Sequence, residues 1–162
     1  MADNMGFDWK NPLHQLAFGF GSGLAPKAPG TFGTLMGVFF YLGLQYLPWF
    51  SYLLVVLVAF VLGIEICNRV SRDLGVKDHP GIVWDEMVGY WVTMLAAPAG
   101  LGWMLLGFVL FRIFDIAKPW PISWADRRVA GGLGIMLDDL LAGIIAALGV
   151  ALAAWFWQGG GL

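Results

Sequence analysis

The chain has 162 residues, of which 59% are hydrophobic and 12% are charged, and its formal net charge at pH 7 is -2. Soluble domains carry about 25% charged residues, so this composition excludes an ordinary water-soluble fold and favours a protein embedded in a lipid bilayer. A slightly acidic chain without a basic stretch also lacks the electrostatic footprint of a nucleic-acid binder. Because no composition shift divides the chain, we predict a single domain over residues 1–162.

Long apolar segments separated by glycine and proline predict an all-α, polytopic membrane bundle with about four to five transmembrane helices. The predicted spans are residues 31–47, 52–68, 82–97, 101–116 and 140–157. The basic residues all fall in the N-terminal segment or in alternate connections: Lys10, Lys27, Arg69, Arg72, Lys77, Arg112, Lys118, Arg127 and Arg128. The positive-inside rule makes that side of the membrane cytoplasmic. Nearly all acidic residues fall on the same side, so we expect the chemistry on one face.

A glycine- and proline-rich loop, residues 19–31, leads into the first predicted span and reads GFGSGLAPKAPGT. Backbone N–H groups in such a loop, with Lys27 and the helix start at Thr31, could hold a phosphate group. The loop is not a Walker loop, because no Gly-Lys-Ser/Thr follows at the required spacing. The alternative is that Thr31 is a plain helix N-cap.

The second predicted span carries a polar stripe in which Glu65, Asn68, Arg69 and Arg72 follow three-four helical spacing. Glu65, expected to be buried deepest, is predicted to form an intrahelical ion pair with Arg69. The alternative is a supporting role facing the functional site.

Adjacent carboxylates, Asp85 and Glu86, begin the third predicted span. Carboxylates at the edge of a membrane span are costly unless cations offset them, and oxygen ligands are what Mg²⁺ requires. We therefore interpret the pair as metal ligands. The alternative is an acidic first turn stabilised by the helix dipole.

The fourth predicted span ends in Arg112, Asp115 and Lys118, three residues apart on one helical face, with Pro119 terminating the helix. These side chains could neutralise one another as a structural row of ion pairs. Cations beside an acid are equally what binds a phosphate next to its metal, so both interpretations stand.

A second acidic pair, Asp138 and Asp139, precedes the last predicted span. One aspartate could be the N-cap, but successive helical side chains point about 100° apart, so the other has no structural role. Asp126, in the preceding loop, offers a further oxygen ligand.

Residue types that often carry chemistry elsewhere receive structural interpretations. Cys67 lies in an apolar run and is predicted to be a small core residue. His14 and His79 have no partner at ligand spacing, and each is interpreted as a satisfied or exposed histidine. The sequence also lacks the acidic, cysteine and histidine motifs of the common covalent phosphatases, so such routes are unsupported.

Four motifs, in the same order, resemble those of the phosphatidylglycerophosphatase A family of bacterial membrane lipid phosphatases. They are PKAPGTFGT at 26–34, IVWDE at 82–86, FRIFDIAKP at 111–119 and GIMLDD at 134–139. One departure is Thr34, where a serine is expected, and both side chains offer a hydroxyl donor. The resemblance implies Mg²⁺-dependent hydrolysis of phosphatidylglycerophosphate to phosphatidylglycerol and phosphate, in phospholipid biosynthesis at the bacterial inner membrane.

On this basis we assign hypothetical roles to the polar residues. The metal ligands are Asp85, Glu86, Asp138 and Asp139. The catalytic residues are Asp85, Asp115, Asp139 and Lys118, with Asp115 either a further ligand or the general base. The substrate-binding residues are Lys27, Thr31, Thr34, Arg112 and Lys118. The expected partners are the lipid substrate and the bilayer, with the site facing the cytoplasm.

The main alternative is a membrane cation transporter that uses intramembrane acidic residues. That function predicts acids throughout the depth of the bilayer, whereas the acids here lie at or beyond the cytoplasmic ends of the predicted spans, and only Glu65 is expected deeper within one. A phosphotransferase would need an acidic-glycine-arginine signature that we do not find. A purely structural scaffold would not need adjacent carboxylate pairs.

Overall fold

The computed structural model describes residues 6–76 and 79–159. All regular secondary structure in these residues is helical, and they contain no β-strand. In chain order the elements are α1 (Pro12–Ala17), a 3₁₀ helix (Gly19–Leu24), α2 (Pro29–Leu44), α3 (Trp49–Leu74), α4 (Trp84–Met94), α5 (Leu101–Ala117), α6 (Ile122–Arg128) and α7 (Gly131–Trp157). The all-α prediction is confirmed, and the five longer helices each overlap one predicted span. Lys77, one of the basic residues assigned to the cytoplasmic side, lies outside the described residues.

Two of these helices, α3 and α7, are long and apolar enough to cross a membrane. Helix α4 has 11 residues, roughly 17 Å at 1.5 Å per residue, which is too short for a hydrocarbon core of about 30 Å. Helix α2, with 16 residues, is apolar but also short. The predicted number of four to five spans is therefore not confirmed.

Helix α4 forms the centre of the bundle rather than one of its outer members. Its residues 87–94 are all buried, and it contacts α2, α3, α5 and α7. A helix that is apolar on every side must be covered on every side, which explains this central position.

Glycines let the neighbouring helices approach α4 closely. A Cβ atom added to Gly37 of α2 would lie 3.1 Å from the Cα atom of Met87. A Cβ atom added to Gly143 of α7 would lie 2.5 Å from the carbonyl oxygen of Gly89. Small residues at helix crossings allow such backbone contacts, and here they set the distance between α4 and its neighbours.

Buried aromatic side chains hydrogen-bond to the backbone of neighbouring helices. The indole N–H of Trp91 donates to the carbonyl of Gly37 at 2.9 Å, and the Tyr52 hydroxyl donates to the carbonyl of Trp91 at 2.7 Å. The Tyr90 hydroxyl donates to the carbonyl of Met104 at 3.2 Å. Each bond satisfies the one polar atom of a large apolar ring and so links α2, α3 and α5 to α4.

The helix directions bring the charged segments to one end of the bundle. Gly33 and Gly37 of α2 approach Val83 and Met87 in the same order, so α2 and α4 are parallel. Helices α3 and α5 run the other way, and α7 runs parallel to α4. The starts of α2, α4 and α7 and the ends of α3 and α5 therefore share one end, which we call the polar end.

Two predicted helix starts are wrong. The N-cap of α2 is Ala28, in a left-handed conformation with φ 50°, so Thr31 already lies inside the helix and is not its cap. The N-cap of α7 is Ala130, so neither Asp138 nor Asp139 caps this helix. Both errors have the same origin, because the helices continue through the glycine-containing segments taken for loops.

The outer surface of the bundle is apolar. Large exposed hydrophobic side chains include Phe39, Leu42, Leu54, Leu57, Val61, Leu105, Leu148 and Leu152. Tryptophans near the ends of the predicted spans suit an aromatic belt; of these, Trp49, Trp155 and Trp157 are exposed and Trp103 is half-buried. An apolar surface of this extent, together with two membrane-length helices, indicates association with a membrane.

Candidate active site

A cavity of about 350 Å³ opens at the polar end, and half of the residues that line it are charged. Its charged lining consists of Asp85, Glu86, Asp115, Lys118, Asp126, Asp138 and Asp139. Asp126 was considered a further oxygen ligand, and each of the other residues was predicted to be catalytic, substrate-binding or metal-binding. Three separate predicted motifs thus meet around one space.

The centre of this site is a group of three carboxylates, which we call the carboxylate cage. Asp85 and Glu86 come from the first turn of α4, and Asp139 comes from α7. One carboxylate oxygen from each lies within 4.8 Å of the other two. The close approach of α4 and α7 at Gly89 and Gly143 brings these carboxylates together.

Several buried carboxylate oxygens of the site have no hydrogen-bond partner among the described residues. They are Oδ1 of Asp85, Oε2 of Glu86, Oδ1 of Asp138 and Oδ2 of Asp139. A buried polar atom without a partner costs about 1–3 kcal/mol, and more when it is charged. Acidic oxygens that converge in this way are an appropriate donor set for a hard divalent cation such as Mg²⁺.

Lys118 joins three elements beside the cage. Its Nζ atom donates to Asp126 of α6 at 2.5 Å and to Asp138 of α7 at 2.7 Å. Burial by itself would lower the pKa of Lys118, but these two carboxylates outweigh it and hold the pKa above its ordinary value. Lys118 is therefore a fixed positive charge at the cavity wall.

Arg112 and Asp115 form an ion pair across one turn of α5, and both side chains are largely buried. The predicted row of three charges is only partly correct, because α5 ends at Ala117 and Lys118 adopts a left-handed conformation with φ 43°. Lys118 therefore leaves the face of Arg112 and pairs with other elements. The Nε atom of Arg112 is buried without a partner among the described residues.

The glycine-proline loop contributes less to the cavity than its sequence indicated. Lys27 is exposed, Thr31 is half-buried, and neither lines the cavity. Thr34 is fully buried, and its hydroxyl donates to the carbonyl of Gly30 at 2.8 Å. Gly30 itself lies against the site, since a Cβ atom there would meet Glu86 and lie 3.1 Å from Nη1 of Arg112.

The polar stripe on α3 lies outside the cavity lining. Glu65 accepts a hydrogen bond of 2.5 Å from Nε of Arg69, as predicted. Both side chains are more than half exposed, so the expectation that Glu65 is the most deeply buried of the stripe is wrong. Cys67 is buried against Met136, as expected of a core residue.

His79 is a cavity residue that sequence reasoning did not assign to the site. It is buried, lines the cavity, and accepts a hydrogen bond of 3.0 Å at Nδ1 from the N–H of Gly81. Its only sequence signal is its place six residues before Asp85. His14 is buried elsewhere, where Nδ1 accepts a hydrogen bond from the N–H of Asp8 and Nε2 lies 3.5 Å from Asp73.

Comparison with known proteins identifies the family of the chain. The family model described as phosphatidylglycerophosphatase A matches residues 15–154. The chain belongs to the phosphatidylglycerophosphatase A family. The matched range contains α2 to α6 in full, all of α1 but its start, all of α7 but its last turn, and the whole carboxylate cage.

Three curated relatives cover most of the chain. A phosphatidylglycerophosphatase A of Escherichia coli is 51% identical over 138 residues, which are 85% of this chain and 80% of the relative. One of Haemophilus influenzae is 44% identical over 152 residues, 91% of each chain. A Bacteroides thetaiotaomicron protein provisionally named phosphatidylinositol-3-phosphatase is 40% identical over 146 residues, 85% of this chain and 90% of its own. No solved structure matches the chain.

Membership of the phosphatidylglycerophosphatase A family confirms the resemblance carried by the four motifs. The chain is accordingly an enzyme of this family. The cation-transporter alternative receives no support from any of these relatives.

Proposed function

We propose that this enzyme removes the terminal phosphate of phosphatidylglycerophosphate, with Mg²⁺ as its cofactor, and releases phosphatidylglycerol and inorganic phosphate. The observation that carries the proposal is the carboxylate cage with its buried, unpartnered oxygens, in a chain of the phosphatidylglycerophosphatase A family. In the reaction the oxygen of water bonds to phosphorus, the bond from phosphorus to the glycerol oxygen breaks, and that oxygen gains a proton.

Asp85, Glu86 and Asp139 are the proposed ligands of the cation, with Asp138 as a fourth. A bound divalent cation would polarise the phosphate and make an attacking water more acidic. The unpartnered oxygens support this assignment, because like charges crowded in a buried space are destabilising until a cation offsets them. Asp138 differs from the others because Lys118 already binds one of its two oxygens at 2.7 Å.

Two cationic side chains of the FRIFDIAKP segment are proposed to bind the phosphoryl oxygens. Lys118 lines the cavity with its ammonium group held by two carboxylates, so its position is set before substrate arrives. Arg112 does not itself line the cavity, but it is ordered by its pair with Asp115, which does, and it has a spare N–H group at Nε. Lys27, Thr31 and Thr34 remain proposed substrate contacts, although none of them lines the cavity.

Asp115 lines the cavity from α5 and is oriented by Arg112. From this position it is proposed to act either as a further ligand or as the general base that takes a proton from the attacking water. Its ion pair supports both roles, because a carboxylate must be ionised for either one.

We further propose that the bundle crosses a bacterial inner membrane several times, with the polar end at the cytoplasmic face. The apolar outer surface, the two membrane-length helices and the basic residues at the polar end support this placement. The phosphate of a lipid lies at the surface of the bilayer, which is the depth of a cavity at the end of the bundle. Helix α4 would then be a core helix surrounded by the membrane-spanning ones.

The test is phosphate release from phosphatidylglycerophosphate in detergent micelles, with Mg²⁺ and then with excess chelator. We expect release that stops with chelator and returns when Mg²⁺ is restored. Phosphatidic acid and phosphatidylinositol 3-phosphate serve as comparison substrates, the second because of the provisional name of the Bacteroides relative. Chelator-resistant release would refute the metal assignment, and faster release from either comparison lipid would refute the proposed substrate.

A further inference from the structure

Helix α6 has one face toward the active site and another toward the surroundings. Ile122 and Ala125 are fully buried, and Asp126 lines the cavity and binds Lys118. The opposite face carries Trp124 and Arg127, three residues apart and both exposed. The helix therefore connects the cavity wall to the outer surface at the polar end.

A second groove, of about 340 Å³, lies on this outer face. It is lined by Trp120, Ser123, Trp124, Arg127 and Arg128. None of these residues lines the active-site cavity, so the groove is a separate feature. Trp120 is 80% exposed and Trp124 is 53% exposed, which is unusual for the largest apolar side chain of a folded protein.

The two arginines of the groove are cations without a carboxylate partner among residues 6–76 and 79–159. By contrast Arg69, Arg112 and Lys118 each form an ion pair with a carboxylate. Arg127 is nevertheless ordered, since its Nε atom donates to the carbonyl of Ser123 at 3.0 Å. The groove thus has positive charge available for an anion from outside the chain.

The geometry points to this groove as a binding site for the phosphodiester head group of an anionic phospholipid. Guanidinium groups pair well with phosphate oxygens, and indole rings favour the boundary between acyl chains and water. The groove lies at the polar end of an apolar bundle, where lipid head groups would surround it. The inference depends on the membrane placement proposed above but not on the metal or the reaction assigned to the cavity.

Lipid bound in this groove would also affect the active site through α6. Asp126 and Arg127 are neighbours on the same short helix. A lipid that fixes the position of Arg127 would therefore also fix the position of Asp126, the carboxylate that orients Lys118. The product of the proposed reaction, phosphatidylglycerol, is itself an anionic phospholipid. The enzyme would therefore turn over faster in a membrane that contains anionic lipid.

The experiment compares lipid binding to the detergent-solubilised full chain by native mass spectrometry, with phosphatidylglycerol, phosphatidylcholine and inorganic phosphate as separate probes. We expect the double variant R127Q/R128Q to lose about 30-fold in affinity for phosphatidylglycerol, with little change for phosphatidylcholine. The double variant W120A/W124A should weaken binding of both lipids. Inorganic phosphate should compete poorly, because it has no acyl chains to contact the indole rings.

The matched control is K10Q/R72Q, which removes the same charge from two other exposed residues. Arg72 resembles Arg127 in donating from Nε to a backbone carbonyl, that of Asn68 at 3.3 Å. An equal loss of phosphatidylglycerol binding in this control, or no loss in R127Q/R128Q, would overturn the inference. So would displacement of phosphatidylglycerol by millimolar phosphate, since that result would indicate a site for free phosphate.

Activity distinguishes this inference from the proposed function. Adding phosphatidylserine, an anionic phospholipid that is not the product of the proposed reaction, to zwitterionic vesicles should raise phosphate release by the wild-type enzyme and not by R127Q/R128Q. If no substrate is hydrolysed at all, the proposed function is wrong, while the binding measurement still shows whether the groove binds anionic phospholipid. If hydrolysis is normal and indifferent to anionic lipid in both proteins, the regulatory part of the inference is wrong.

Discussion

The contact between α4 and α7 determines the geometry of the carboxylate cage, and replacing Gly143 by alanine tests it. The added Cβ atom would lie 2.5 Å from the carbonyl oxygen of Gly89, against 3.4 Å or more in an ordinary contact, so the helices must separate by about 0.9 Å. Asp139 is one turn before Gly143, and Asp85 and Glu86 are one turn before Gly89. The separation therefore acts directly on the cage.

The expected result is a large loss of activity with a moderate loss of stability. The proposed Mg²⁺ would require ligand distances of about 2.0–2.1 Å in a near-octahedral arrangement, which a shift of this size would disrupt. A misplacement of about 1 Å costs on the order of 100-fold in rate, so we expect phosphate release to fall by about that factor. Overpacking a tight helix contact should lower the free energy of unfolding by about 1–3 kcal/mol.

The measurement is phosphate release from phosphatidylglycerophosphate together with the thermal unfolding midpoint in detergent. Gly43→Ala is the matched control, because a Cβ atom at Gly43 of α2 would meet nothing within 4 Å. It should leave activity unchanged and stability equal or slightly improved. Activity near the wild-type level in Gly143→Ala would refute the claim that this contact sets the geometry of the cage.

Three further predictions follow from the contacts of the site and the core. Asp85→Asn and Asp139→Asn should each abolish phosphate release and the stabilisation expected from Mg²⁺, which for the wild type at 100 times its Kd would be about 2.7 kcal/mol in free energy of unfolding; an unfolding midpoint that still rises with Mg²⁺ would contradict the proposed ligand assignment. Lys118→Gln should lower kcat on the order of 100-fold while the protein stays folded, as checked by steady-state kinetics and circular dichroism. Tyr52→Phe removes the hydrogen bond to Trp91 and should cost about 1–3 kcal/mol of stability, measured by denaturant titration, without reducing kcat.

The sequence predicted the helical class and the order of the long helices, because an apolar segment bounded by glycine or proline can be recognised within a short stretch of the chain. It could not predict which helix is central. The segment of α4 is largely apolar in sequence, as are those of the outer helices, and only the structure shows that α4 is too short to span and is covered by four neighbours. The helix starts of α2 and α7 were missed because glycine inside a helix resembles glycine in a loop.

The charged residues that line the cavity were also singled out from the sequence. Acidic pairs such as Asp138 and Asp139 stand out in an apolar chain, because an unpaired charge there is costly and needs a purpose. Two other assignments differ from what the structure shows. Thr34, assigned to substrate binding from the family resemblance, is buried with its hydroxyl bonded inside α2. Lys118, placed by spacing in a row with Arg112 and Asp115, leaves that row because its backbone turns left-handed.

What the sequence determined by itself is that this chain is a helical, apolar protein of the phosphatidylglycerophosphatase A family whose acidic and basic residues collect at one end. Composition and the order of the motifs carry that information, because both are present in the sequence whichever residues meet in space. What only the tertiary structure decided is which charges meet. Asp139 reaches Asp85 and Glu86 because Gly143 lets two helices touch, and Lys118 meets Asp126 and Asp138 because α5 ends where it does. Such contacts depend on close packing between distant segments, which no local pattern in the sequence records.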